Sequence, residues 1–248
     1  MNVIYILWLR EIKKYRRSPA QIIASLGSPL MYLGVLGFGL GPVFKAAGQG
    51  NYIQFVAPGV IGMTILFTSM FSGIQLLWDR QFGFLKETLV APVPRIEIMI
   101  GRTLGGASVA LLQGCLIFVV CLIAGFRPEG WSALPMAFLG MVLIALNFAA
   151  LGTVIGSSLT QMQVFQLVMN FLVMPMFFLS GALYPLNNLP TVLAALTRID
   201  PLTYGVDAMR SALIARSHFG YGLDVAVLAV VGTLLLILGA WRFSKIEV

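Results

Sequence analysis

The sequence predicts an all-α polytopic membrane protein with six transmembrane helices, and three observations predict it. Only 10% of the 248 residues are charged while 59% are hydrophobic, against about 25% charged in a soluble domain, and the mean hydropathy is +0.93. Apolar runs of about 20 residues, long enough to cross the hydrocarbon layer as helices, recur along the chain. Lysine and arginine crowd beside some ends of those runs and are sparse beside others, the asymmetry that orients a membrane protein.

The elements follow in order. Residues 1–19 alternate Ile4, Leu7, Trp8, Ile12 and Tyr15 with Arg10, Lys13, Lys14, Arg16 and Arg17, at spacings that place the two sets on opposite sides of a helix. Such a helix is expected to lie on the cytoplasmic membrane surface. The basic cluster follows the apolar residues instead of preceding them, so neither a signal peptide nor cleavage is expected. Spans are expected at about Ile22–Leu40, Val56–Leu77, Thr103–Ala124, Leu134–Ser157, Val164–Leu183 and Val225–Trp241. They form a single membrane domain, 1–248, with one charged internal loop, 78–102, and a long outer segment, 184–223. No internal repeat and no soluble domain is evident.

Counting Lys and Arg orients the spans: five lie in the N-terminal segment, four in the 78–102 loop and two in the C-terminal tail, against one each in the loops after spans one and three. Both termini and the 78–102 loop are therefore expected in the cytoplasm. The outer segment carries Arg198, Arg210 and Arg216, but long loops follow the rule poorly, and six spans place it outside. Within it, Leu189–Ile199 is apolar but too short to cross a membrane, which fits a re-entrant or interfacial helix. Asp200 is placed to cap a second helix starting near Pro201, and Asp207 and Arg210 are spaced to pair on it.

The formal charge of +7 lies beside apolar segments and not in a basic arm. It is read as topological charge facing anionic lipid, with no nucleic-acid partner. Cys115 and Cys121 sit about 240° apart around one predicted helix, so they do not bridge each other. Gly101 with Gly105, and Gly152 with Gly156, have the spacing that lets membrane helices approach closely.

Much familiar chemistry is missing. The predicted span interiors contain essentially no ionisable side chain, which excludes the titratable relay of a proton-coupled carrier and the acid–base groups of most intramembrane enzymes. His218 is the only histidine and reads as a surface or interfacial residue. No HExxH, GxSxG or GxxxxGK[ST] pattern occurs, so no metal site and no phosphate loop is expected, and no catalytic residue is assigned. Neutral polar residues do occur in or near the spans: Gln75, Gln113, Asn147, Gln166 and Asn170. They either bond helices together or line a path for an amphiphile. Phe67, Phe71, Gln75, Asn147, Asn170, Met174 and Phe177 are the candidate substrate path.

The 78–102 loop carries Phe82, Leu85 and Leu89 at i, i+3 and i+7, giving a short helix one apolar side, with Arg80, Lys86 and Glu87 available to the other and Pro92 and Pro94 ending it. Such a stub either docks in a groove of a soluble partner or anchors the loop at the interface.

The run Trp78-Asp79-Arg80-Gln81-Phe82-Gly83-Phe84-Leu85-Lys86-Glu87-Thr88-Leu89-Val90-Ala91-Pro92-Val93-Pro94-Arg95 resembles the corresponding loop of ABC-2 type transporter permeases. So do Phe178-Leu179-Ser180-Gly181-Ala182-Leu183-Tyr184-Pro185 and Asp200-Pro201-Leu202-Thr203-Tyr204-Gly205-Val206-Asp207-Ala208-Met209-Arg210, in the order that family shows. Within it the chain looks most similar to the bacterial and archaeal drug-resistance-type permeases. The resemblance implies an N-terminal amphipathic connecting helix carrying Arg10, Lys13, Lys14, Arg16 and Arg17. It also implies a coupling helix between spans two and three, involving Arg80, Phe82, Leu85, Glu87, Leu89 and Pro92, and short external helices before span six. It further implies a second copy or a homologous permease meeting at spans one and five, and a separate ATP-binding subunit holding ATP and Mg, this chain having no cofactor. An amphiphilic drug, lipid or lipid-linked glycan would leave across the cytoplasmic (inner) membrane. Rival readings are an ATP-independent membrane scaffold or lipid scramblase, and a membrane-embedded transferase, which the missing acid–base groups disfavour.

Overall fold

A computed structural model describes residues 3–46, 51–84, 93–186 and 189–244. The described residues are helices and their connections, with no strand among them. Six helices are long and apolar enough to cross a membrane. An N-terminal helix, α1 (Val3–Arg16), precedes the first of these, α2 (Pro19–Gly39), whose middle is a π turn at Tyr32–Leu36. A short α3 (Gly41–Ala46) leads to α4 (Tyr52–Gln81), followed by α5 (Arg95–Ile123) and α6 (Leu134–Ser158). The fifth span, α7 (Met162–Leu179), contains a second π turn at Met169–Val173. Then come α8 (Thr191–Ile199), α9 (Pro201–Ile214) and the last span, α10 (Tyr221–Ser244).

The bundle centres on α4 and α6, which are mostly buried, while α2, α7 and α10 leave most of their apolar surface exposed. Glycine makes the central contact. A Cβ on Gly73 would meet the Gly152 carbonyl, and one on Gly156 would sit 2.5 Å from the Gly73 carbonyl oxygen. The two backbones therefore touch, as the small-residue spacing predicts. Gly101 and Gly105 serve another helix: Cβ atoms there would lie 3.0 Å from the Leu7 Cβ and 2.8 Å from the Glu11 Cγ of α1.

That contact gives the expected N-terminal amphipathic helix a protein partner. α1 is docked lengthwise on α5, with Trp8 Nε1 donating to Ser108 Oγ at 2.9 Å and the Tyr15 hydroxyl donating to Gln113 Oε1. Its apolar residues face a helix groove, because the two glycines remove the side chains that would keep it away.

Several boundaries also move. α4 runs on to Gln81 and α5 begins at Arg95, so both ends of the expected 78–102 loop are helical. The charges that suggested loop there, Asp79 and Arg102, neutralise each other between the helices. α10 starts at Tyr221 and so includes Asp224, and α7 ends at Leu179. The Asp200 cap is as expected: its Oδ1 accepts from the Leu202 N–H at 2.9 Å, with Pro201 in the first turn of α9. α9 is then buried along nearly its whole length against α4, α6 and α10. It occupies the end of the bundle opposite the α4–α5 loop, and its turn of polar backbone groups is sheltered by protein.

Candidate functional site

Three ties hold the two roots of the α4–α5 loop. In the last turn of α4, Asp79 meets Arg102 of α5 at 2.5 Å and Arg10 of α1 at 3.2 Å. One carboxylate thus joins three helices, with Arg102 buried and Arg10 partly open to solvent. Next to it, Arg80 donates to the Leu159 carbonyl just beyond α6 at 3.3 Å. On the other root, Arg95 donates to the Ser244 carbonyl at the end of α10 at 2.8 Å. The loop roots are thereby tied to α1, α5, the end of α6 and the end of α10. Breaking a buried pair by removing one partner costs about 3–5 kcal/mol, so the Asp79–Arg102 tie is stiff.

Beside this cluster a cleft of about 420 Å³ opens between α1, α2, α4 and α5. Lys14 and Tyr15 of α1, Gln21 and Ser25 of α2, and Phe71, Ser72, Gln75 and Trp78 of α4 line it, with Arg102 at its floor. Lys14 Nζ donates to Gln75 Oε1 at 3.2 Å. Arg102 Nε, buried beneath the cleft, has no acceptor, and behind Tyr15 the buried Gln113 Nε2 has none either. Burial raises the Tyr15 hydroxyl above its ordinary pKa, so it stays a neutral donor. The lining combines the cations Lys14 and Arg102 with one acid, Glu11, the Tyr15, Ser25 and Ser72 hydroxyls, and the exposed Phe71 and Trp78, which suits a guest with a polar head and an apolar body.

The expected path residues do not come together. Phe71 and Gln75 line the cleft. Phe67 packs edge-on against the fully buried Phe177, ring centroids 6.1 Å apart. Asn147 is buried and donates to the Leu143 and Leu228 carbonyls, so it fastens α6 to α10. Asn170 and Met174 lie on the exposed side of α7. Of the expected coupling residues, Arg80 is placed as above, and Phe82 is 64% exposed and stacks on Trp78 at 5.5 Å. Leu85, Glu87, Leu89 and Pro92 lie outside the described residues. Of the basic residues of α1 and the turn after it, Arg10 bonds Asp79 and Lys14 bonds Gln75, while Lys13, Arg16 and Arg17 are exposed. The sequence reading missed Asp79, Arg102, Tyr15 and Ser72; the available signal was one acid and one base of opposite sign on neighbouring span ends.

The expected Asp207–Arg210 pair is also corrected. Arg210 donates to the Ala182 and Phe55 carbonyls at 3.1 and 3.4 Å and lies over the Phe55 ring. Asp207 accepts instead from the backbone N–H groups of His218 and Phe219. The two side chains take different partners because the helix is buried on every side and each finds backbone groups within reach. Among the described residues no group of three or more His, Cys, Asp or Glu could hold a metal ion, and Cys115 and Cys121 are free thiols.

Comparison with known proteins agrees with this architecture. Nodulation protein J of Rhizobium meliloti (strain 1021) is 28% identical over 225 residues, covering 90% of this chain and 85% of that protein. Nodulation protein J of Sinorhizobium fredii (strain NBRC 101917 / NGR234) is 26% identical over 227 residues, with 90% and 86% covered. The putative transport permease ycf38 of Cyanophora paradoxa is 27% identical over 210 residues, with 84% and 72% covered. The family model of the ABC-2 type transporter matches residues 2–214. With that match over most of the chain, including five of its six membrane-spanning helices, the chain belongs to the ABC-2 type transporter family.

Proposed function

We propose that this chain is the permease subunit of an ABC exporter that moves an amphiphile outward across the cytoplasmic membrane. A separate ATP-binding subunit carries ATP and Mg, and two permease subunits form the complex. Both termini and the α4–α5 loop face the cytoplasm in this reading, so the cleft opens at the level of the inner leaflet. The observation that carries it is the adjacency of cleft and loop roots: Trp78 and Arg102 line the cleft within the same two helices that Asp79 and Arg102 lock together. A push on the loop therefore changes the cleft, which is what coupling ATP hydrolysis to release of a guest needs. The family match and the relative named as a putative transport permease support the same assignment. A drug, a lipid or a lipid-linked glycan all have the polar head and apolar body that the lining suits.

The test is reconstitution of the chain with its ATP-binding subunit in vesicles whose cytoplasmic face is outward, with a fluorescent anionic phospholipid in the outer leaflet. ATP-dependent, one-way loss of the probe from that leaflet is the expected result. Equilibration of the probe without ATP would instead identify a scramblase.

A further inference from the structure

At the end of the bundle opposite the α4–α5 loop, α9 and α10 are joined by a tight turn with Ala215 left-handed at φ 47° and Gly220 at φ 104°. Asp207 of α9 holds that turn. Its Oδ1 and Oδ2 each accept from the His218 N–H at 2.9 Å, and Oδ2 accepts from the Phe219 N–H at 2.8 Å. Asp224, in the first turn of α10, has no exposed surface and its side chain meets Asp207. Among the described residues neither Asp224 oxygen receives an N–H or O–H donor.

Two ionised carboxylates are acceptors only, so this contact has no bond in it unless one of them carries a proton. Buried like charges in contact do not both ionise. The surroundings decide the count. Arg210 is the cation whose charge acts on Asp207, but its guanidinium is directed to the Ala182 and Phe55 carbonyls and faces Tyr52, so it does not bridge the acids. Tyr204 feels Asp224 while donating to the Arg198 carbonyl, with Arg198 nearby, and Tyr221 donates to Met136. The His218 ring stands edge-on to Phe219. α6, packed on both helices, carries no ionisable side chain, and the charged residues of α5 (Arg95, Glu97 and Arg102) lie in its first turns at the other end. One Arg210 cation and one carboxylate anion balance; a second anion would leave net buried charge.

We propose that Asp207 and Asp224 form a proton-binding pair, one proton held between two buried carboxyls that fasten α10 to the buried helix α9. The proton resides on Asp224, because three backbone N–H contacts already stabilise Asp207 as the anion. Asp224 then donates to Asp207. Loss of the proton breaks the only bond between these side chains and sets two anions against each other.

The experiment uses the full chain in lipid nanodiscs and infrared spectroscopy of the protonated carboxyl C=O band, identified by its shift in heavy water. At about pH 7 a free carboxyl is ionised but the buried Asp200, raised to about 7, contributes a protonated band of its own, so the comparison is made in the Asp200→Asn chain, where the expected result is one remaining band that is lost when Asp224→Asn is added. Asp207→Asn is the second variant. Its amide can donate to an ionised Asp224, so it is expected to lose the same band. Thermal stability of the wild type is expected to fall as pH rises above the ordinary carboxylate range of about 4, with a smaller fall in Asp224→Asn. A band untouched by both asparagine variants, or identical pH slopes in wild type and Asp224→Asn, would overturn the proposal.

Discussion

The Asp79 carboxylate and the Arg102 guanidinium, 2.5 Å apart between the ends of α4 and α5, form the buried link through which the intervening loop is fixed to the bundle. Arg10 joins the same carboxylate from α1 at 3.2 Å but from a largely open position. The two arginines should therefore differ in effect. Asp79→Ala leaves Arg102 buried without a counter-charge and is expected to cost about 3–5 kcal/mol. Arg10→Ala should cost under about 1 kcal/mol. Denaturant unfolding of the purified chain in mixed micelles measures both; equal losses would show that the buried link is not the stronger one.

Docking of α1 depends on the absence of side chains at two positions of α5. Gly105→Leu places atoms where Glu11 packs, since even a Cβ would lie 2.8 Å from its Cγ. It is expected to detach α1, so that a disulfide between cysteines at Trp8 and Ser108, bonded in the native chain, no longer forms. Gly222→Ala, with nothing within 4 Å, is the control and should leave the cross-link intact.

The spans, the Asp200 cap and the glycine contacts were legible in the sequence because each depends on local pattern: an apolar run, a capping residue before Pro201, small residues four apart. What each glycine pair faces was not, and Gly101 and Gly105 turned out to receive α1. The Asp79–Arg102 link spans 23 residues, and no local rule pairs residues across a loop. Asp207 and Arg210 show the opposite error, a local spacing overridden by backbone partners from the 218–219 turn and from Ala182. The path residues scattered because spans that are apolar all round carry little signal of how they are rotated. Asn147 thus faces α10 and Asn170 faces outward.

Lys14 and Lys13 are neighbours in sequence, but Lys14 lines the cleft and bonds Gln75 while Lys13 does neither. If the cleft takes an anionic head, Lys14→Glu should reduce photo-crosslinking of an anionic lipid probe to the cleft about tenfold, corresponding to about 1.4 kcal/mol. Lys13→Glu should change it little. A neutral lipid probe, run in parallel, should be indifferent to both, and equal loss in the two variants would reduce the effect to general surface charge.

Asp200 supplies a pH dependence of its own. Burial raises its carboxyl to about 7, against the opposing bonds from the Leu202 N–H and the Thr203 hydroxyl. An acid whose folded pKa lies above its unfolded value of about 3.9 binds more protons when folded, so its contribution to stability declines as pH rises from about 4 to about 7. Asp200→Asn keeps a capping oxygen and cannot ionise. It is expected to flatten the pH dependence of the thermal midpoint in that window, and an unchanged slope would contradict the assignment.

In the proposed transporter a separate ATP-binding subunit drives this chain through the α4–α5 loop. Phe82 is 64% exposed and stacks on Trp78, an exposed neighbour on the same helix end, so Phe82→Asp is expected to leave the fold in place. If Phe82 enters a dry contact with the ATP-binding subunit, an unpaired charge there costs several kcal/mol, more than about a hundredfold in affinity. The direct measurement is co-purification of that subunit with the Phe82→Asp chain, together with amphiphile-stimulated ATP hydrolysis in lipid. The prediction is loss of both, with the variant still inserted and folded. Association and stimulated hydrolysis at wild-type levels would contradict it.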